Sequence, residues 1–176
     1  MRYLATTAML VALSAPVLAQ QGAPVELGMD ATLSTSLDSP HRTGFALPAS
    51  RIRIGFENSP SVSIEPAGSL ELSKVGSSSA TILILDVGAL FHFSADRTAS
   101  RTYVRPFVGF GTSSVSSSST SNSTTNLRVG AGLGAKIPMS NRLASRFEAT
   151  VTSTASSGSG AHSELSLSAG LSFFTH

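Results

Sequence analysis

The feature that most restricts this sequence is an alternation in which charge keeps to one phase. From Val25 to Ser34, Val25, Leu27, Met29, Ala31 and Leu33 are apolar, and Glu26, Gly28, Asp30, Thr32 and Ser34 lie between them. Period two sends successive side chains to opposite faces, so this stretch reads as a strand with two unlike faces. At ten residues it is longer than an ordinary globular strand of ~5–6.

The pattern returns along the chain. Ile52, Ile54 and Phe56 alternate with Arg51, Arg53 and Gly55. Val62, Ile64, Leu70 and Leu72 oppose Ser63, Glu65, Ser69 and Glu71; Pro66 and Gly68 interrupt this third segment, but its phase survives, which predicts one strand with a bulge or edge defect. Leu83, Leu85, Val87, Ala89, Phe91 and Phe93 oppose Asp86, Gly88 and His92, with Ile82, Ile84 and Leu90 blurring the phase. Val104, Val108 and Phe110 oppose Tyr103, Arg105, Gly109 and Gly111. Leu127 to Ile137, Leu143 to Val151 and Leu165 to Phe173 complete a set of eight. The connections alternate between long and short. Asp38 to Pro48, Lys74 to Ser79, "SSVSSSSTSNSTTN" and "SSGSGAHS" read as flexible loops; "ENSPS", "SADRTAS" and "PMSN" read as the tighter turns.

The charges decide which face meets what. Glu26, Asp30, Glu65, Glu71, Asp86, Glu148 and Glu164 fall on the polar phase, and so do Arg51, Arg53, Arg105, Arg128, Lys136, Arg142 and Arg146. The apolar phase is almost free of charge, with Lys74 at a strand end. A lipid-facing Arg or Lys at the bilayer midplane costs about 2–4 kcal/mol, so strict exclusion is what a lipid face requires. A soluble barrel with an apolar cavity would reverse the faces. The expected fold is therefore all-β: an eight-stranded antiparallel up-and-down transmembrane β-barrel with a polar, side-chain-filled lumen. Inside so narrow a lumen a lone charge is expensive and a hydrogen-bonded pair is tolerable. The equal numbers of acids and bases on the polar phase predict a lumen network of Arg–Glu and Arg–Asp pairs drawn from those fourteen residues.

Gly130, Gly132 and Ala135 in "RVGAGLGAKI" fit the loose dinucleotide fingerprint G-x-G-x-x-G/A. That motif needs a buried strand before it and a helix after it. Here "SNSTTN" precedes and "KIPMSN" follows, and Pro138 with its turn residues forbids the helix. On the barrel reading, Gly130, Gly132 and Gly134 point inward and leave room for long arginines from other strands.

Residues 1–19 read as a signal peptide, with Arg2 at its start, an apolar run from Tyr3 to Leu13 and Val17-Leu18-Ala19 at the cleavage site; the barrel domain is then 20–176. The chain has no cysteine, which excludes a disulfide framework and thiolate metal ligation. With 12 basic and 10 acidic residues it offers no case for nucleic acid as a partner. No cofactor is expected. His41 and His176 have no metal-ligand spacing around them, and His92 reads as a packed, hydrogen-bonded residue of the lumen.

"YVRPFVGFG", "LRVGAGLGAKI", "LASRFEATV" and "LSLSAGLSFF" resemble the last four strands of small eight-stranded outer-membrane barrels: OmpA-like transmembrane domains, OmpX-type barrels and opacity-type surface proteins of Gram-negative bacteria. The resemblance implies an outer-membrane location with periplasmic N- and C-termini. It implies lipid and lipopolysaccharide as surroundings, and Phe173 as the C-terminal insertion signal read by the barrel assembly machinery. Trp is absent, so Phe45, Phe56, Phe91, Phe93, Phe110 and Phe173 would form the aromatic girdles. The implied function is structural or surface interaction, with loops presented to a ligand. The alternatives are a narrow small-solute pore and a lipid A-modifying enzyme. For the enzyme, "AHSE" supplies His162, Ser163 and Glu164. Neighbours on a strand point apart, so His162 and Ser163 make a poor nucleophile–base pair, and no catalysis is expected.

Overall fold

The computed structural model describes residues 24–38, 43–75, 78–96, 98–116, 121–156 and 159–175. The expected signal peptide, His41 and His176 lie outside them. Eight strands follow one another: β1 (Val25–Ser36), β2 (Thr43–Ser59), β3 (Val62–Val75), β4 (Ser78–His92), β5 (Arg101–Ser116), β6 (Ser121–Ser140), β7 (Leu143–Ser156) and β8 (Ser159–Phe174). Each pairs antiparallel with the next, and β1 closes the barrel against β8 through a ladder from Glu26↔Phe174 to Ser36↔Glu164. Closure removes the sheet edge, which hydrocarbon could not hydrate.

The strands run from 12 residues in β1 to 20 in β6, whereas ~9–11 residues cross a bilayer. The surplus corrects the loop assignments. "SSVSSSSTSNSTTN" is mostly paired, from Thr112↔Thr125 to Ser116↔Ser121. Hydroxyls bond across this ribbon, with Thr112 Oγ1 and Thr125 Oγ1 3.2 Å apart and Ser116 Oγ and Ser121 Oγ also 3.2 Å apart. Low complexity reads as a loop, but a closed ladder extends through Ser and Thr as readily as their cross-strand bonds allow. By the same extension, residues 43–48 join β2, Lys74 and Val75 join β3, Ser78 and Ser79 join β4, and residues 159–163 join β8.

Pro66 makes neither a bulge nor a break. The β2–β3 ladder passes Arg53↔Ala67 and resumes in the same register at Phe56↔Ile64, while Pro66 pairs with Val87 of β4. The missing N–H falls on one side of one strand, and the ladder there simply skips. Pro106 repeats the arrangement: it pairs with Ala131 of β6, and the β4–β5 ladder skips from Gly88↔Phe107 to Phe91↔Val104.

Side chains of the apolar phase face outward. Leu27, Ile52, Leu70, Val87, Val108, Leu133, Val151 and Leu167 are all exposed. Those of the polar phase face inward, and Glu26, Arg53, Glu65 and Arg105 are buried. The turns at 60–61 and 141–142, residues 93–96 and 98–100, and both barrel termini share one end, where Thr175 N donates to Val25 O at 2.9 Å. Phe56, Phe91, Phe93 and Phe173 gather toward this turn end. The opposite, open end carries the long Ser/Thr-rich extensions.

Leu133 is 59% exposed near the middle of the outward band. Leu133→Arg is expected to lower the unfolding free energy of the bilayer-inserted barrel by about 2–4 kcal/mol. Urea titration in lipid vesicles measures this.

Candidate functional site

The lumen is built around long cations laid over small partners. Arg53 of β2 stands directly across from Gly28 of β1. Its guanidinium occupies the space that a Cβ at Gly28 would need. There it donates from Nη1 to Glu26 at 2.6 Å, from Nε to Asp30 at 2.9 Å and from both Nη atoms to Ser172 Oγ at 3.1 Å. Leu171 O accepts the remaining Nη2 contact at 3.2 Å.

A second knot centres on Glu148 of β7. Its carboxylate accepts from Arg105 Nη2 at 2.9 Å, Tyr103 Oη at 2.8 Å and Thr150 Oγ1 at 3.0 Å, and also from Arg146. Arg146 in turn donates to Glu65, and Lys136 donates to Glu26. Glu65 joins the two knots, since Arg53 Nη1 lies 3.7 Å and Arg105 Nε 3.9 Å from it. Rings pack against the guanidiniums: Arg146 lies 4.9 Å above Tyr103 and Arg105 4.7 Å above Phe107. Toward the open end, Arg105 Nη1 reaches Asp86 at 3.2 Å, and Arg51 reaches the same carboxylate at 3.4 Å. Glu65 and Arg105 are fully buried at 0% exposure. At that depth only charges that are both paired and hydrogen-bonded are tolerable.

The structure thus brings together Glu26, Asp30, Arg51, Arg53, Glu65, Asp86, Arg105, Lys136, Arg146 and Glu148. Among the described residues the expected pairing does not extend to Glu71 and Arg142. Glu71 is exposed where the lumen has opened to solvent, and Arg142 is exposed in the turn after β6. Arg128 and Glu164 are half-buried toward the open end and face one another through space. The glycines need a correction as well. Gly134 makes room for Tyr103, Gly130 for Phe107 and Gly132 for Glu148; it is Gly28 and Gly88 that lie under arginines. Phe173 is 44% exposed on the outward face of β8, opposite Leu27 and Leu143.

Sequence reasoning missed Arg101 and Glu57: Glu57 fell in the assigned turn "ENSPS", and Arg101 lay between the turn "SADRTAS" and the assigned start of the fifth strand at Tyr103. Arg101 Nη1 donates to Glu57 Oε1 at 3.0 Å, and both residues are buried. The available signal was phase: Arg101 precedes Tyr103 by two, and Glu57 follows Arg53 by four. His92 is buried, with Nε2 3.2 Å from Ser63 Oγ and its ring edge-on to Tyr103. His162 and Ser163 lie within continuous β8, paired with Thr154 and Ser153 respectively. Their side chains therefore point to opposite faces, and His162 Nδ1 instead lies 3.9 Å from Asp38.

Comparison with known proteins follows the architecture. The family model for the outer membrane protein β-barrel domain matches residues 5–173. Against the curated proteins no sequence match is found. Among solved structures, Neisserial surface protein A (NspA) is similar at a TM-score of 0.65 and 15% identity, over 85% of this chain and 96% of that one. Ail, the attachment invasion locus protein of Yersinia pestis, is similar at 0.57 and 9%, over 87% of this chain and 99% of that one. The N-terminal β-barrel domain of Pseudomonas aeruginosa OprF is similar at 0.50 and 15%, over 84% and 97%. At these identities the likeness is one of fold.

Removing the carboxylate charge at the centre of the network exposes what it supports. Glu148→Ala leaves Arg105 and Arg146 buried with one partner fewer, and is expected to cost about 3–5 kcal/mol of unfolding free energy. Glu71→Gln is expected to stay within about 0.5 kcal/mol of the parent. Urea unfolding of the two variants side by side in lipid vesicles checks the contrast.

Proposed function

Because the chain belongs to the family of outer membrane protein β-barrel domains, we propose that it acts in the bacterial outer membrane as a structural and surface-interaction barrel, presenting its open end to the medium. The observation that carries this reading is the Ser/Thr/Asn-rich ribbon in which Thr112–Ser116 of β5 pairs with Ser121–Thr125 of β6, and which continues past the outward apolar band. A regular, hydroxyl-rich ribbon held above the bilayer is a surface for polar contact. Two tight turns on the side of the termini and long strand extensions on the other resemble the periplasmic and extracellular ends of outer-membrane barrels, which supports a periplasmic position for both termini. The apolar band then meets outer-membrane lipid and the acyl chains of lipopolysaccharide. Phe173, outward at the end of β8, serves as the insertion signal for the barrel assembly machinery. The Ail barrel of Yersinia pestis has been solved in complex with the heparin analogue sucrose octasulfate, which supports a surface ligand for this chain too.

A small-solute pore is the weaker reading. Arg53, Arg105, Tyr103, Leu90, Glu26 and Glu65 are fully buried across the middle of the lumen, and side chains knotted this tightly leave ions no wet path. Catalysis at His162 and Ser163 is disfavoured by their opposed directions on β8.

The chain has no native cysteine, so single cysteines report topology cleanly. In intact cells an impermeant maleimide is expected to label Ser123→Cys and not Asn141→Cys; labelling of Asn141→Cys alone would invert the orientation. In planar bilayers the refolded barrel is expected to show no sustained conductance, and steady open-channel current would restore the pore reading.

A further inference from the structure

We propose that the open end of the lumen is a binding cup for a small phosphate or sulfate monoester. Its oxyanion sits at Arg128 and Arg51, and its organic side lies against Ile84 and Ile82. This goes beyond the surface role and is independent of it, because the cup lies inside the barrel whichever end faces the medium.

The lumen changes character at Asp86. That residue is 8% exposed, whereas the inward-facing Ile82 above it is 36% exposed and Val115 is 52% exposed. The network below is therefore a floor, and the walls above it enclose solvent. The floor is uneven in charge. Arg105 is matched chiefly by Glu148, and Asp86 serves Arg51 at 3.4 Å. Arg128 is left over: it faces Asp86, Glu164 and Arg51 through space and forms no salt bridge among the described residues. Its Nε is buried without a hydrogen-bond partner. A buried N–H with no acceptor calls for a reason, and a missing ligand is one. On a guanidinium, the Nε edge is one side of the planar fork that takes carboxylate, phosphate or sulfate bidentately.

The second half of the site is apolar. A Cβ at Gly111 would lie 3.5 Å from Arg128 Cδ and 3.7 Å from Ile84 Cγ1. Arginine and isoleucine thus share the space over one glycine. Ile82 continues the wall one inward position higher, opposite Ser113. Two isoleucines one above the other offer carbon for a ligand's organic side to cover. The wall of β7 and β8 is hydroxylic, with Thr152 and Ser166 buried in the floor and the half-buried Thr154 above them. Glu164 on that wall and Glu71 on β3 limit the negative charge the cup accepts. They favour a single compact oxyanion over a polyanion.

The test is a titration of the full refolded barrel in nonionic detergent, followed by amide NMR shifts, with phenyl phosphate, phenyl sulfate and inorganic phosphate as probes. Saturable binding of phenyl phosphate or phenyl sulfate is expected, with shifts concentrated at Gly111 and Arg128. The stronger of the two names the preferred ester. Inorganic phosphate is expected to bind about tenfold more weakly, because it cannot cover the isoleucines. Arg128→Gln, with folding checked by heat-modifiable gel migration, is expected to weaken the aryl ester by about tenfold or more. Ile84→Ser leaves both guanidiniums in place, and is expected to bring the aryl ester down to the level of inorganic phosphate. Absence of saturable binding to the parent barrel overturns the proposal. So does an Arg128→Gln barrel that binds as tightly as the parent.

Discussion

Hydrocarbon outside the barrel leaves charge nowhere to go but inward, and the rest of the structure follows from that exclusion. Each strand must alternate, because a spanning strand has one face in lipid and one in the lumen. The sheet must close, because an open edge in lipid would strand its backbone groups. The lumen of an eight-stranded barrel is only wide enough for side chains. Cations and anions driven inward therefore meet at bonding distance, as Arg53 meets Glu26 and Asp30.

Space decides which inward charges pair. Long side chains cross a narrow lumen only where the facing strand gives way, and glycine gives the most. Arg53 takes the room over Gly28, and Tyr103 takes the room over Gly134. Tyr103 then brings a hydroxyl to Glu148 and a ring under Arg146. The result is a dense middle layer between two ends of different character. The turn end is ringed by phenylalanine and carries two tight turns, at 60–61 and 141–142. The open end rises into hydroxyl-lined walls around a floor where Arg128 forms no salt bridge among the described residues.

Most of this was legible in the sequence, because the phase of a strand is carried by single residues. Glu26, Asp30, Arg51 and Arg53 announce their face by position alone, and the register then sets Gly28 across from Arg53. What was not legible has two physical causes. Strand ends are set by how far a ladder continues, and Ser and Thr continue it without a hydropathy signal, so 113–126 read as a loop, Glu57 was lost to a turn and Arg101 was left short of its strand. Depth along the lumen axis is also invisible to a period of two. Glu71 has the same phase as Glu65, yet it lies beyond the layer where the walls close. Which large residue fills which glycine likewise depends on cross-strand register, a long-range property that spacing within one strand does not encode.

That register is where the buried network matters most. Alternation excludes a one-residue slip, which would turn every charge to the lipid. It does not exclude a slip of two, which keeps every face correct. The knobs and hollows do. Between β5 and β6, Tyr103 lies across from Gly134 and Phe107 from Gly130. A two-residue slip one way would set Phe107 against Arg128; the other way would set Tyr103 against Lys136. Either replaces a ring in a hollow by a ring against a long cation in a lumen with no spare width. Between β1 and β2 the pairing of Arg53 with Gly28 acts likewise, and a two-residue slip there would set Arg53 against Glu26 or Asp30, with a side chain where its hollow had been. Buried ion pairs roughly break even against apolar packing in stability. Here they and their glycines fix which of the lipid-compatible barrels this chain closes into.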